Sequence, residues 1–176
     1  MIEFLVTGDG IAPKRADGDA GFDFYVPKYS EALVEEISLK SHRLVSTITV
    51  RENGEDVTKI KLSPHEDVLI PSYVYSKLPH NIALVAKNKS GVATKQKLDV
   101  GACVVDHSYQ GTIHIHVRND SNVDQLIEFG KKIVQFVPLV IDDSPCVVKT
   151  DMTPEEFFKG IATDRGSGGF GSTTLN

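Results

Sequence analysis

The apolar residues of this chain come in short runs broken by Gly, Pro, Asn and Asp, and that punctuation favours an architecture of many short strands. The runs fall at 22–26, 44–50, 57–62, 82–86, 112–117 and 132–140. In Thr112-Ile113-His114-Ile115-His116-Val117 polar and apolar residues alternate with period two, so the histidines share one face of a strand and the isoleucines the other. Between Val50 and Val57, Asn53-Gly54 supplies the positive φ angles of a tight turn, and residues 44–62 read as a β-hairpin. One short helix is signalled near the C-terminus. Thr153 can cap it, Pro154 suits its first position, Glu156 completes a capping box and Gly160 can end it, with Phe157 and Phe158 expected to dock it.

With 176 residues, 40% hydrophobic and 24% charged, the chain reads as one globular domain rather than a disordered segment. No apolar run approaches the length of a membrane span and no export leader is visible, so a soluble cytoplasmic protein is expected. Cys103 and Cys146 lie far apart and outside any C-x-x-C spacing, which argues against a disulfide framework or a structural zinc site. A net charge of −5 offers no basic stripe for a nucleic-acid backbone, so direct nucleic-acid binding is not expected. His114-x-His116 has the spacing of a metal pair but lacks an evident third ligand, and Asp142-Asp143 reads as a solvated turn.

The most informative stretch is Arg165-Gly166-Ser167-Gly168-Gly169-Phe170-Gly171-Ser172-Thr173. It contains G-x-G-x-x-G, but no helix-length run follows Gly171, so the dinucleotide-binding reading fails on context. Glycines let backbone N–H groups curl round an anion, Arg165 offers a fork of donors, and Ser172 and Thr173 add hydroxyls. Those are the parts of a phosphate clamp. Phe170 has no apolar neighbours and suits a flat ligand such as a base. Residues 164–176 have almost nothing to bury, so a flexible tail that closes over a ligand is expected.

That stretch resembles the C-terminal motif of the trimeric dUTPases, and the family's other four motifs occur upstream in order. Ala20-Gly21-Phe22-Asp23-Phe24 resembles the first, Lys89-Ser90-Gly91-Val92-Ala93 the second, and Val100 through Gly111 the third. Gly130-Lys131-Lys132-Ile133-Val134-Gln135 resembles the fourth. The likeness runs from Ala20 to Thr173, and is nearest to dUTPases of the kind that staphylococcal phages encode.

The resemblance implies an all-β, distorted jelly-roll fold of residues 1–163, followed by the tail at 164–176. It implies a homotrimer that hydrolyses dUTP to dUMP and pyrophosphate, with Asp106 as the base that activates water. Tyr109 would pack under the deoxyribose, and uracil would lie in a hairpin from Cys103 to His114 and be read by main-chain groups. Lys89, Ser90, Gly91 and Gln135 would hold phosphates; Arg165, Phe170, Gly171, Ser172 and Thr173 would close over the substrate. Mg²⁺ would be held by phosphate oxygens and water, touching Asp23 only through water, in keeping with its reluctance to dehydrate.

Some positions depart from the family pattern. Cys103 stands where Gly is common, and Lys89 and Lys132 stand where Arg is usual, giving point charges in place of forks. Asp23 and Lys89 are 66 residues apart, about 30 more than in compact members, an excess that surface loops tolerate cheaply. The excess is assigned to an inserted β-hairpin around 31–62, which the phage resemblance implies as a surface for a repressor-type partner, alongside catalysis or in place of it. A dCTP deaminase on the same fold is the other reading, but no Glu occurs in Val100–Gly111 to serve its chemistry.

Overall fold

The computed structural model describes residues 1–142 and 144–163. It divides into two compact units, Met1–Asp142 and Asp143 onward. Twelve strands lie in the first unit. In chain order they are β1 (Glu3–Val6), β2 (Phe22–Tyr25), β3 (Ser46–Glu52), β4 (Glu55–Leu62), β5 (Asp67–Pro71) and β6 (Val74–Lys77). There follow β7 (Ile82–Asn88), β8 (Leu98–Val100), β9 (Val104–Val105), β10 (His114–Asn119), β11 (Gln125–Glu128) and β12 (Lys132–Val140).

The strands pair antiparallel into four open sheets, ordered β2-β12-β7-β9, β5-β10-β8, β11-β4-β3 and β1-β6. The fold is a distorted jelly roll. Its core is aliphatic around a cluster of Phe4, Phe24 and Phe136, with the last two rings 4.6 Å apart. In β10, Ile115 and Val117 are buried while His114 and His116 are only partly so, as the alternation required. The turn between β3 and β4 has positive φ at both Asn53 (52°) and Gly54 (87°), the signature of a right-twisted two-residue hairpin. Among the described residues no helix is long and apolar enough to cross a membrane.

The segment around 31–62 corrects an expectation. Residues Glu31–Lys40 form a helix, α1, and only Ser46–Leu62 is a hairpin. Ser30 caps α1 by accepting from the Leu33 N–H at 3.3 Å, with Glu31 in the first turn and Lys40 in the last, matching the helix dipole. Leu33 and Ile37, four residues apart and so on one face, are fully buried.

Polar contacts fix the helix further. Tyr73 donates its hydroxyl to Glu36 at 2.7 Å, and the Ser41 hydroxyl accepts from the Leu69 N–H at 3.0 Å. Arg43 donates from Nε and Nη2 to the Asp67 carbonyl at 3.0 and 2.8 Å. The hairpin is equally integrated, because β4 also pairs with β11 and buries Ile60 and Leu62. At about 1.5–3 kcal/mol for each fully buried aliphatic side chain, the segment is part of the core and not an appendage.

In the second unit, α2 (Pro154–Phe157) has the expected capping box, and Gly160 follows it with φ +87°. Within this unit its phenylalanines are not buried. Phe157 and Phe158 are more than half exposed and meet each other edge-on at 5.0 Å, since neighbouring positions on a one-turn helix cannot share a buried face.

Candidate functional site

The segment 101–113 crosses from one sheet to another. β9 pairs with β7, matching Leu84 to Val105 and Val85 to Val104, whereas β10 pairs with β5 and β8. The expected hairpin from Cys103 to His114 is therefore an open loop. Its two sides belong to different sheets because Ile113, Ile115 and Val117 bury β10 in the core.

The loop encloses a pocket of about 140 Å³ lined by Ala102, Cys103, Val104, Val105, Tyr109, Ile113, His114 and Phe136. That volume suits a small flat group, since drug-sized ligands occupy pockets of about 300–1,000 Å³. Cys103 is exposed, and its carbonyl accepts from the Ala86 N–H at 2.7 Å. Tyr109 donates its hydroxyl to the Thr112 carbonyl at 2.9 Å and stays 41% exposed, which separates it from a core tyrosine. A Cβ at Gly111 would lie 2.4 Å from that hydroxyl, so the ring position requires glycine there.

Asp106 follows β9, is exposed, and accepts the Tyr109 N–H on its carbonyl at 3.1 Å. His114 is held neutral to lower pH than usual, by burial first and by Lys40 second. Its Nε2 is buried and has no partner among the described residues.

A second group of residues is polar. Asp23 on β2 lies beside Gln135 on β12. Its carboxylate accepts from Lys89 on one oxygen and from Lys132 at 2.9 Å on the other. Burial raises the Asp23 pKa, but the two ammonium groups outweigh it and the net shift is downward. Lys132 is shifted upward in return by Asp23. Gln135 donates from Nε2 to the Asn88 carbonyl at 3.1 Å.

Ser90 and Gly91 open a helical turn that continues as the π-helical segment Val92–Gln96, and a Cβ at Gly91 would meet open space. Asn88 escaped the sequence reading. Its side chain accepts from the Val100 N–H at 2.9 Å and donates to Asp99, tying the end of β7 to β8. Arg165, Phe170, Gly171, Ser172 and Thr173 lie outside the described residues.

Asp23 and Asp106 stand on opposite edges of the sheet β2-β12-β7-β9. Asp23 pairs with Gln135 and Gln135 with Lys87, while Asp106 follows a strand whose Val105 faces Leu84. Three strand spacings across and four residues along put Asp23 and Asp106 on the order of 20 Å apart within one chain.

A protein-family model described as dUTPase matches residues 56–174. The chain belongs to the dUTPase family. The family match begins inside β4, leaving α1 and β3 outside it. Among curated relatives, the deoxyuridine 5'-triphosphate nucleotidohydrolase of Solanum lycopersicum is 33% identical over 73% of this chain and 71% of its own length. That of Finegoldia magna is 29% identical over 80% of the chain and 97% of its own. For the Arabidopsis thaliana enzyme, 35% identical, the chain spans 63% of the relative's length.

The dUTPase of Staphylococcus bacteriophage 80alpha, solved with dUPNHPP and described among phage dUTPases that control transfer of virulence genes, shares the fold. Its TM-score is 0.65 at 18% identity, over 99% of both chains. The phage phi11 dUTPase, described by its species-specific insert, gives 0.62 at 18% identity over 88% of this chain and 98% of its own.

Proposed function

We propose that the chain hydrolyses dUTP to dUMP and pyrophosphate, Asp106 activating a water for in-line attack on the α-phosphorus. The observation that carries this reading is the small pocket lined by Tyr109, whose hydroxyl is tied to the Thr112 carbonyl and whose ring edge lies against Gly111. A deoxyribose stacks there, and a 2'-hydroxyl would collide with the ring. Uracil enters the pocket and pairs with main-chain groups of the 102–114 segment. Cytosine would invert the donors and acceptors and strand buried polar groups at about 1–3 kcal/mol each. Asp106, exposed beside this pocket, is free to take a proton from water.

Lys89, Ser90, Gly91 and Gln135 hold the phosphates, and the tail residues Arg165, Phe170, Gly171, Ser172 and Thr173 close over them. The separation of about 20 Å between Asp23 and Asp106 exceeds the reach of a triphosphate. A complete site therefore draws on more than one copy, which supports a homotrimer.

Mg²⁺ fits these residues as an ion carried mainly by the phosphates. Asp23, which accepts from Lys89 and Lys132, would meet the ion only through its water shell, in keeping with magnesium's reluctance to dehydrate. When bound, the ion neutralises charge that develops on the phosphate oxygens. Two free, exposed cysteines suit the reducing cytoplasm of a host cell.

Purified protein given dUTP and the four common deoxynucleoside triphosphates, with and without Mg²⁺, tests the reading. Pyrophosphate is expected from dUTP alone and only with the ion. Ammonia released from dCTP would replace the reading with deamination.

A second role, contact with a repressor-type protein, draws on β3, a seven-residue strand whose outer edge is unpaired among the described residues. Substitutions on that strand that abolish partner binding and spare hydrolysis would support it. Deleting 31–62 would instead empty part of the core.

A further inference from the structure

Behind the base pocket lies a contact that the reaction outlined above does not use. Gly101 extends the β8–β10 ladder by one residue, donating its N–H to the His116 carbonyl at 3.1 Å. The His116 imidazole folds across Gly101, where an added Cβ would sit 1.7 Å from Nδ1. The ring then meets the next residue, because Nδ1 accepts from the Ala102 N–H at 3.0 Å. On its far side Nε2 is 2.7 Å from the Asp67 carboxylate.

Backbone chemistry fixes the tautomer. An amide N–H can only donate, so Nδ1 carries the lone pair and Nε2 carries the proton that Asp67 accepts. Asp67 is itself placed by β5 and by Arg43, which grips its carbonyl through two N–H groups.

We infer that His116, oriented by Asp67, is a positioning residue that sets the wall of the base pocket through the Ala102 amide. The segment 101–103 is fastened at one end by His116 and at the other by the Cys103 carbonyl on the Ala86 N–H, and Ala102 and Cys103 line the pocket between. Without the imidazole acceptor, Ala102 would turn its N–H toward water and the main-chain pattern offered to the base would shift. His116 touches no reacting atom, so its influence falls on binding of the base and not on the chemical step. The inference rests on the pocket's assignment to uracil.

Two substitutions separate the ring's two jobs. Asn places its carbonyl oxygen near the position of Nδ1 and keeps the acceptor for Ala102. Gln places its amide nitrogen near Nε2, keeping the donor to Asp67 and losing that acceptor. Hydrogen exchange at the Ala102 amide is measured in ¹⁵N-labelled protein, together with KM and kcat for dUTP.

His116→Asn is expected to keep Ala102 protected and KM within about twofold of the parent, the loss of one neutral hydrogen bond being the scale at issue. His116→Gln is expected to lose that protection and raise KM roughly twofold to tenfold, with kcat little changed. Gly101→Ala, which displaces the ring, should behave like His116→Gln. Equal KM values for the Asn and Gln variants, a fall in kcat at constant KM, or an unprotected Ala102 amide in the parent would each overturn the inference. A protected amide in a parent protein that binds no uracil nucleotide would instead remove the pocket's assignment, leaving His116 as a brace without a role in recognition.

Discussion

The pocket at the end of β9 and the charged group at the end of β7 solve different problems with different materials. The pocket is walled mostly by apolar and small side chains, and Tyr109 within it is fixed on the Thr112 carbonyl. The charged group is partly self-neutralised, with the one Asp23 carboxylate shared between Lys89 and Lys132. On the proposed function, one end is finished before a ligand arrives and the other exchanges an internal anion for an external one. Shape would then be stored in the fold, and affinity for phosphate held in reserve behind an ion pair.

The largest test of that division is Asp106→Asn. Turnover should fall by about 10²–10⁴ while the affinity for a non-hydrolysable dUTP analogue changes little, as measured by steady-state kinetics and calorimetry. Equal losses in both would place Asp106 in the pocket's architecture. Removing residues 164–176 should lower kcat/KM by about 10²–10³ if the tail supplies donors to the reacting phosphates, with dUMP binding nearly intact.

Lys89→Met sharpens the contrast between the two ends. It should weaken dUTP binding by roughly tenfold to a hundredfold, the worth of a charged hydrogen bond, and leave dUMP almost unaffected. A comparable loss for dUMP would mean that the two ends are not separable.

The smallest effect is on stability. The Asp23 carboxyl is held below its ordinary value of 3.8, so its contribution is complete above that pH and disappears as pH falls through the lowered native value. Asp23→Asn should cost about 1 kcal/mol, or roughly 2–4 °C in Tm, at pH 7, because Asp23 is only partly shielded from solvent. The difference from the parent should vanish in strong acid. A difference that grows on acidification would contradict the assigned pairing.

Much of this was legible in the chain. The alternation through 112–117, the Asn53-Gly54 turn and the Thr153–Glu156 capping box all act within a few residues, and each matches the structure. The helix at Glu31–Lys40 is equally local, with Ser30 as cap and Leu33 and Ile37 on one face, but its apolar residues are too few to stand out among strand-length runs. Short strands such as β8 and β9 have too few residues to show a period and exist only through their partners. The site residues were recognisable as types, whereas their groupings were not. Lys132 meets Asp23 across 109 positions, and His116 reaches Ala102 across 14, distances over which sequence carries no geometric signal.

The two side chains that α1 lends to the interior bear on how such a chain can change over generations. Once Leu33 and Ile37 are enclosed, excising the segment opens a void that no neighbouring residue fills, so the addition is easier to keep than to lose. Its outward positions, Leu39 among them, carry no such obligation and are free to vary. A lineage carrying this helix can thus alter what it shows to the outside without renegotiating what holds it together.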